Sequence, residues 1–214
     1  MKHFFKIFAV IVLFTFMSCS FSGSGNEGNF TINTTKIYEL KADSGSIKWD
    51  RYLHQGPSKK KIELFGSSVD VNLGEIEISS NGEVEPVKGS LTEVNGKLTK
   101  GEIVFNMTTF KLNTKMEDKN DDLFKTTEYP ESTYEMLEIL PDSAGYIIKG
   151  QLTIAKKTNK VEAHAKITKF GKNGLKYLST LTIKTLDWPL RDESAKKCVI
   201  KDEITIKMDL LYYI

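Results

Sequence analysis

The sequence predicts an all-β fold, an antiparallel sandwich or closed barrel of about eight to ten strands. Three features carry this. After Lys36, apolar and polar residues alternate at period two over most of the chain. Asn-Gly pairs stand at 81–82, 95–96 and 173–174, and both residue types tolerate the positive φ that closes a tight hairpin. No segment carries a long stripe at 3.6-residue spacing, so little helix is expected.

In chain order, Met1 to Ser18 reads as a signal peptide. Lys2 and Lys6 supply its positive start, and Phe8 to Phe16 an apolar run of about nine residues, too short to span a bilayer. Phe16-Met17-Ser18 before Cys19 resembles a bacterial lipobox, in which cleavage leaves the Cys19 thiol to carry diacylglycerol. An ordinary secreted protein with a free cysteine is the alternative. Residues 19–35 are rich in Ser, Gly and Asn and read as a flexible tether. Losing Lys2 and Lys6 takes the formal charge from +2 to about 0. A lipidated Cys19 leaves Cys198 with no disulfide partner, so the fold must rest on its core. Asn29, Asn33 and Asn106 match the glycosylation triplet, by chance if the protein is a bacterial lipoprotein.

Residues 36–214 read as one domain without repeats or composition shifts. Early strands are expected at Ile37 to Lys41, Ser46 to Asp50, Ile62 to Phe65, Val69 to Ser79 and Glu83 to Leu91. Asp43-Ser44-Gly45, Gly56-Pro57 and the Asn-Gly pairs punctuate them. Ile103, Phe105 and Met107 share a face, and the apolar phase then shifts to Phe110 and Leu112, which predicts a bulge near Thr108 and Thr109. Lys115 to Tyr134 is polar and reads as a short helix or loop ended by Pro130. Four further faces follow: Tyr146-Ile148-Gly150-Leu152-Ile154; Val161-Ala163-Ala165-Ile167; Tyr177-Ser179-Leu181-Ile183; and Ile200-Ile204-Ile206-Met208-Leu210, with Asp202 intruding.

Composition excludes several classes. The near-balanced charge gives no nucleic-acid footprint. Two cysteines and three scattered histidines supply neither a disulfide scaffold nor a four-cysteine metal site. No nucleophile elbow, zinc-protease, P-loop or dinucleotide motif is present, so no catalytic set and no cofactor are expected. Asp118, Asp121 and Asp122 lack the calcium-loop spacing.

Four stretches resemble the YceI-like family of lipocalin-like bacterial proteins. They are Val87 to Thr114; Asp122-Leu123-Phe124 followed by Tyr129-Pro130 and Tyr134; Lys149-Gly150-Gln151-Leu152-Thr153-Ile154 with Thr158 to Val161; and Asp202 to Met208. The family's early histidine is missing before Ser44 to Trp49, its turn glycine is replaced around Ala155-Lys156-Lys157, and Arg51 to Ile78 has no counterpart. The resemblance implies an eight-stranded barrel with an apolar tunnel. It also implies a long-chain apolar ligand such as an isoprenoid or quinone, a bacterial-envelope location facing the periplasm or cell surface, and a homodimer as a family habit.

On that reading Trp49, Phe105, Met107, Phe110, Leu152, Ile154, Tyr177 and Leu181 line the tunnel. Phe124, Tyr129, Tyr134 and Trp188 form its mouth. The alternative for every one of them is plain core packing, giving a self-filled barrel that serves as an interaction module of the envelope. His164 is expected in solvent and His54 in a loop; buried Asp202 needs a partner, with Arg191 a candidate. Lys59-Lys60-Lys61 reads as a solvated turn or a contact to anionic lipid.

Overall fold

A computed structural model describes residues 33–64, 67–112, 124–188 and 199–214. Met1 to Ile32 (with Cys19 and the tether), Asp118, Asp121, Asp122, Arg191 and Cys198 lie outside the described residues. The strands are β1 (Thr35–Leu40), β2 (Ser46–Gln55), β3 (Ser58–Leu64), β4 (Ser67–Leu73), β5 (Ile76–Val94), β6 (Lys97–Leu112), β7 (Glu131–Asp142), β8 (Gly145–Ile154), β9 (Lys157–Phe170), β10 (Gly174–Lys184) and β11 (Val199–Tyr213).

Nine strands form one antiparallel sheet in the order β1-β11-β10-β9-β8-β7-β6-β5-β2. It closes because β1 and β2 both lie between β5 and β11. β1 takes the C-terminal stretch of β5, from Thr35↔Val94 to Glu39↔Ser90. β2 takes its first half, from Ile47↔Val84 to Gln55↔Ile76, and pairs β11 on its other side. The two strands, parted by a short 3-10 turn at Ala42–Ser44, share one position, so the ring has eight places. Closure pairs most strand edges of the ring among the described residues.

Alternation decides what fills the ring. Ile47 and Trp49 on β2, Ile103, Phe105 and Met107 on β6, Ile148, Leu152 and Ile154 on β8, Tyr177 and Leu181 on β10, and Ile204, Met208, Leu210 and Tyr212 on β11 all point inward and are buried. Each such side chain contributes roughly 1.5–3 kcal/mol of burial. His164 stands on the exposed outer face, as its phase requires. Ile200 does not follow its predicted phase. It is 59% exposed, because the β2–β11 register shifts between Val199 and Lys201.

Bulges reset the alternation elsewhere. The predicted one near Thr109 is present: Thr109 Oγ1 donates to the Asn106 carbonyl and accepts from the Glu85 amide, while the β5–β6 register slips between Glu83 and Glu85. Asn81-Gly82 is not a turn. Both residues lie inside β5, with Gly82 opposite Trp49, a position where the large indole leaves little use for a facing side chain. Asn95-Gly96 does turn, with φ of 52° and 79°. Between β9 and β10 the turn is Gly171–Asn173, and Gly174 already belongs to the strand. In the polar stretch after β6, Phe124 to Glu128 makes one helical turn, closed by the Tyr129 amide on the Lys125 carbonyl.

β2 continues past Gly56-Pro57 into β3, and β4 returns from Ser67 to Leu73 to meet β5. The arm pairs Ser58↔Leu73 through Leu64↔Ser67 and carries the Lys59-Lys60-Lys61 run, which is strand rather than turn. His54 at its base is also in a strand, its Nε2 3.7 Å from Glu75.

The β8–β9 hairpin turns on Ala155 and Lys156, with φ of 47° and 63°. Left-handed backbone costs a non-glycine residue roughly 1–2 kcal/mol. Lys156→Gly is therefore expected to raise stability by about 1 kcal/mol, read as a higher denaturation midpoint. An unchanged or lower midpoint would refute the strain.

Candidate functional site

Toward the arm end, the barrel interior holds a cavity of about 40 Å³. Trp49, Phe105, Met107, Phe110, Leu152 and Ile154, six residues the sequence assigns to a tunnel, line it. So does Phe124, assigned to the mouth, together with Val84, Ser132, Ile183, Ile204 and Ile206. Every lining residue but Ser132 is apolar. The Phe110 ring stacks on Trp49 with centroids 4.3 Å apart and meets Phe124 at 4.5 Å. These three rings close the cavity on the β6 side.

Tyr177 and Leu181 are fully buried in the interior but do not line the cavity. Tyr134 is not at a mouth: it is fully buried opposite Leu152 and Ile103. With Tyr177 and Tyr212 it makes a layer below the cavity. The Tyr177 and Tyr212 rings meet edge-on at 6.2 Å, and none of the three hydroxyls hydrogen-bonds another described residue. Burial pushes all three phenols well above the usual tyrosine range, so they stay neutral donors. Trp188 caps the arm end, its indole N–H donating to the Lys157 carbonyl at 3.1 Å. Tyr129 is half-buried beside it, hydrogen-bonded to Glu128, with Lys156 Nζ 5.2 Å from its ring centroid.

Above the cavity, Asp202 points inward and is met by Arg51; the candidate Arg191 lies outside the described residues. Arg51 Nε and Nη2 donate to its two oxygens at 2.8 and 2.7 Å. Arg51 stands 151 positions away in the chain, so no local pattern points to this partner.

The opposite end differs. β6 and β7 pair only from Gly101↔Met136 to Asn106↔Glu131. Below that they diverge around a cleft of about 630 Å³. Leu98, Ile139, Tyr146, Ile167 and Leu175 give it an apolar floor. Glu93 is buried there, 2.5 Å from Lys169 Nζ and within 3.4 Å of the Tyr38 hydroxyl. That hydrogen bond raises the Lys169 ammonium above the usual lysine range. Glu93 follows Gly89 and Leu91 on the inward phase of β5, two residues beyond the predicted Glu83 to Leu91 strand.

A family model described as the YceI-like domain matches residues 38–212. The chain belongs to the YceI-like family. Its fold is shared with BcnA of Burkholderia cenocepacia, at 18% identity and a TM-score of 0.52 over 80% of this chain and 98% of that one. A polyisoprenoid binding domain from Saccharophagus degradans aligns at 14% identity and a TM-score of 0.48, covering 82% and 97% of the two chains. A Campylobacter jejuni YceI protein aligns at 20% identity and a TM-score of 0.37, covering 53% and 73%. No curated protein matches the sequence. The family match runs through the β3–β4 arm as well as the eight-place ring.

Proposed function

We propose that the chain binds a long-chain apolar lipid, of isoprenoid or quinone type, inside the barrel, and does so anchored through Cys19 in a bacterial envelope. The observation that carries it is the interior cavity walled almost wholly by aliphatic and aromatic side chains. A tail there exchanges water for apolar wall at about 25 cal/mol per Å². Family membership supports the same ligand class.

At about 40 Å³ the cavity holds only a few water-sized spheres, against 300–1,000 Å³ for ordinary ligand pockets. A tail therefore enters by displacing side chains, and Phe110 is the half-buried one that borders both Trp49 and Phe124. The same small volume favours a second reading, a self-filled barrel that acts as an interaction module.

Native mass spectrometry with organic extraction, on protein purified from its own host, separates the two. A stoichiometric long-chain lipid supports the carrier; a bare mass with no uptake of added quinones or isoprenols overturns it. Losing one aromatic pair costs about 1 kcal/mol. Phe110→Ala should accordingly bind an added isoprenol about fivefold more tightly, reported by Trp49 fluorescence. Equal or weaker binding would remove Phe110 from the entry step.

A further inference from the structure

We infer that the barrel end opposite the arm is a docking surface for an anionic lipid bilayer, on which the β6–β7 cleft opens. The inference rests on the anchored reading above, but its evidence is separate. Ten large apolar residues are exposed among the described residues, and five of them stand at this end. Ile37 starts β1, Leu140 ends β7, Phe170 ends β9, and Tyr213 and Ile214 end the chain. Ile37 and Ile214 are 52% and 56% exposed. Phe170 and Tyr213 meet edge-on at 5.5 Å, so part of the rim is a preformed aromatic pair. Aromatic rings of this kind partition to the headgroup level of a bilayer.

Charge completes the match. Lys97 follows the β5–β6 turn and Lys172 sits on the β9–β10 turn, so cations flank the apolar rim. Lysines beside apolar residues favour an anionic lipid surface over a zwitterionic one.

The covalent chain selects the same end. Asn33 lies here, tied in through the Thr34 carbonyl and the Asn95 amide. Cys19 precedes it by fourteen residues. Even fully extended, fourteen residues reach at most about 50 Å. β5 alone runs 19 residues, roughly 60 Å along the strand. A lipid on Cys19 thus favours this end over the arm end. The cleft floor of Leu98, Ile139, Ile167 and Leu175 then faces the bilayer directly, beside the Glu93–Lys169 pair.

The test is hydrogen–deuterium exchange of the full chain purified from its host membrane, with and without vesicles of phosphatidylethanolamine and phosphatidylglycerol (about 3:1). Exchange should slow about tenfold or more over 36–38, 95–99, 139–146 and 170–175. Leu140→Glu with Phe170→Glu should abolish that slowing while lowering the melting temperature by no more than about 4 °C, the cost of the lost Phe170–Tyr213 pair. Slowing over 58–64 and 67–73 instead would assign membrane contact to the lysine arm and overturn the proposal. No slowing, with Cys19 acylated by intact mass, would overturn it as well. If Cys19 carries no lipid, the anchored reading fails; rim protection on vesicles then still supports docking, and its absence refutes it. Extraction of a bound lipid tests the carrier reading independently.

Discussion

Replacing Arg51 by methionine is expected to cost about 3–5 kcal/mol of stability, the penalty for stripping a buried carboxylate of its charged partner. The Asp202 side chain is fully buried and that of Arg51 is 16% exposed, so water does little to replace the lost pairing. The two hydrogen bonds, at 2.8 and 2.7 Å, are the bidentate arrangement that makes such a pair worth its desolvation. Their position amplifies the effect. Arg51 is on β2 and Asp202 on β11, one diagonal step apart on the seam where the ring closes. Losing Arg51 takes both of these bonds away from a carboxylate buried at the seam.

The double variant Arg51→Met with Asp202→Leu should recover most of the loss, because an apolar pair of similar volume fills the same site without desolvating ions. Denaturant unfolding reads both, as a lower midpoint with unchanged slope for the single variant. A single variant within 1 kcal/mol of the parent, or a double variant no better than the single, would refute the ion pair's role. Among the described residues the pair points inward just beyond Trp49 and Ile204, at the polar limit of the apolar cavity.

The barrel was legible because closure forces alternation on most strands. The faces of β8, β9 and β10 are read directly from Tyr146 to Ile154, Val161 to Ile167 and Tyr177 to Ile183. Six of the cavity residues follow from the same period. What escaped does so for physical reasons. Tyr134 stands near a Tyr-Pro loop in sequence, yet β7 starts at Glu131 and carries it straight into the interior. Glu93 continues the inward phase of Leu91, but the predicted strand stops at Leu91 while β5 runs on to Val94. The β6–β7 cleft depends on where two strands stop pairing, which no local pattern encodes. Asn81-Gly82 misleads because glycine serves space as well as turning, and Trp49 takes that space. The ion pair joins residues 151 positions apart.

Gly150→Ala is expected to cost roughly 3 kcal/mol, the top of the usual range for overfilled interiors. A Cβ at this position would collide with the Glu135 carbonyl oxygen and lie 2.8 Å from Tyr134 Cε2 and 3.1 Å from the Glu135 carbonyl carbon. The nearest atom is backbone, so no rotamer change relieves the contact. β7 and β8 must part where Gly150 faces Met136, next to the register shift between Met136 and Glu138. Separation there moves Tyr134 and Leu152 together, since the two are direct cross-strand partners. One is in the hydroxyl layer and the other in the cavity wall, so the variant should lose isoprenol binding as well as stability. Gly74→Ala is the control: nothing lies within 4 Å of its added Cβ, and its midpoint should stay within about 0.5 kcal/mol of the parent. If Gly150→Ala were as stable as Gly74→Ala, the strands would be free to separate at no cost. The cavity floor could not then be a fixed wall. If it folded less stably yet bound isoprenol normally, Leu152 and Tyr134 would stand outside the ligand's path, and the binding region would have to be sought at the β6–β7 cleft instead.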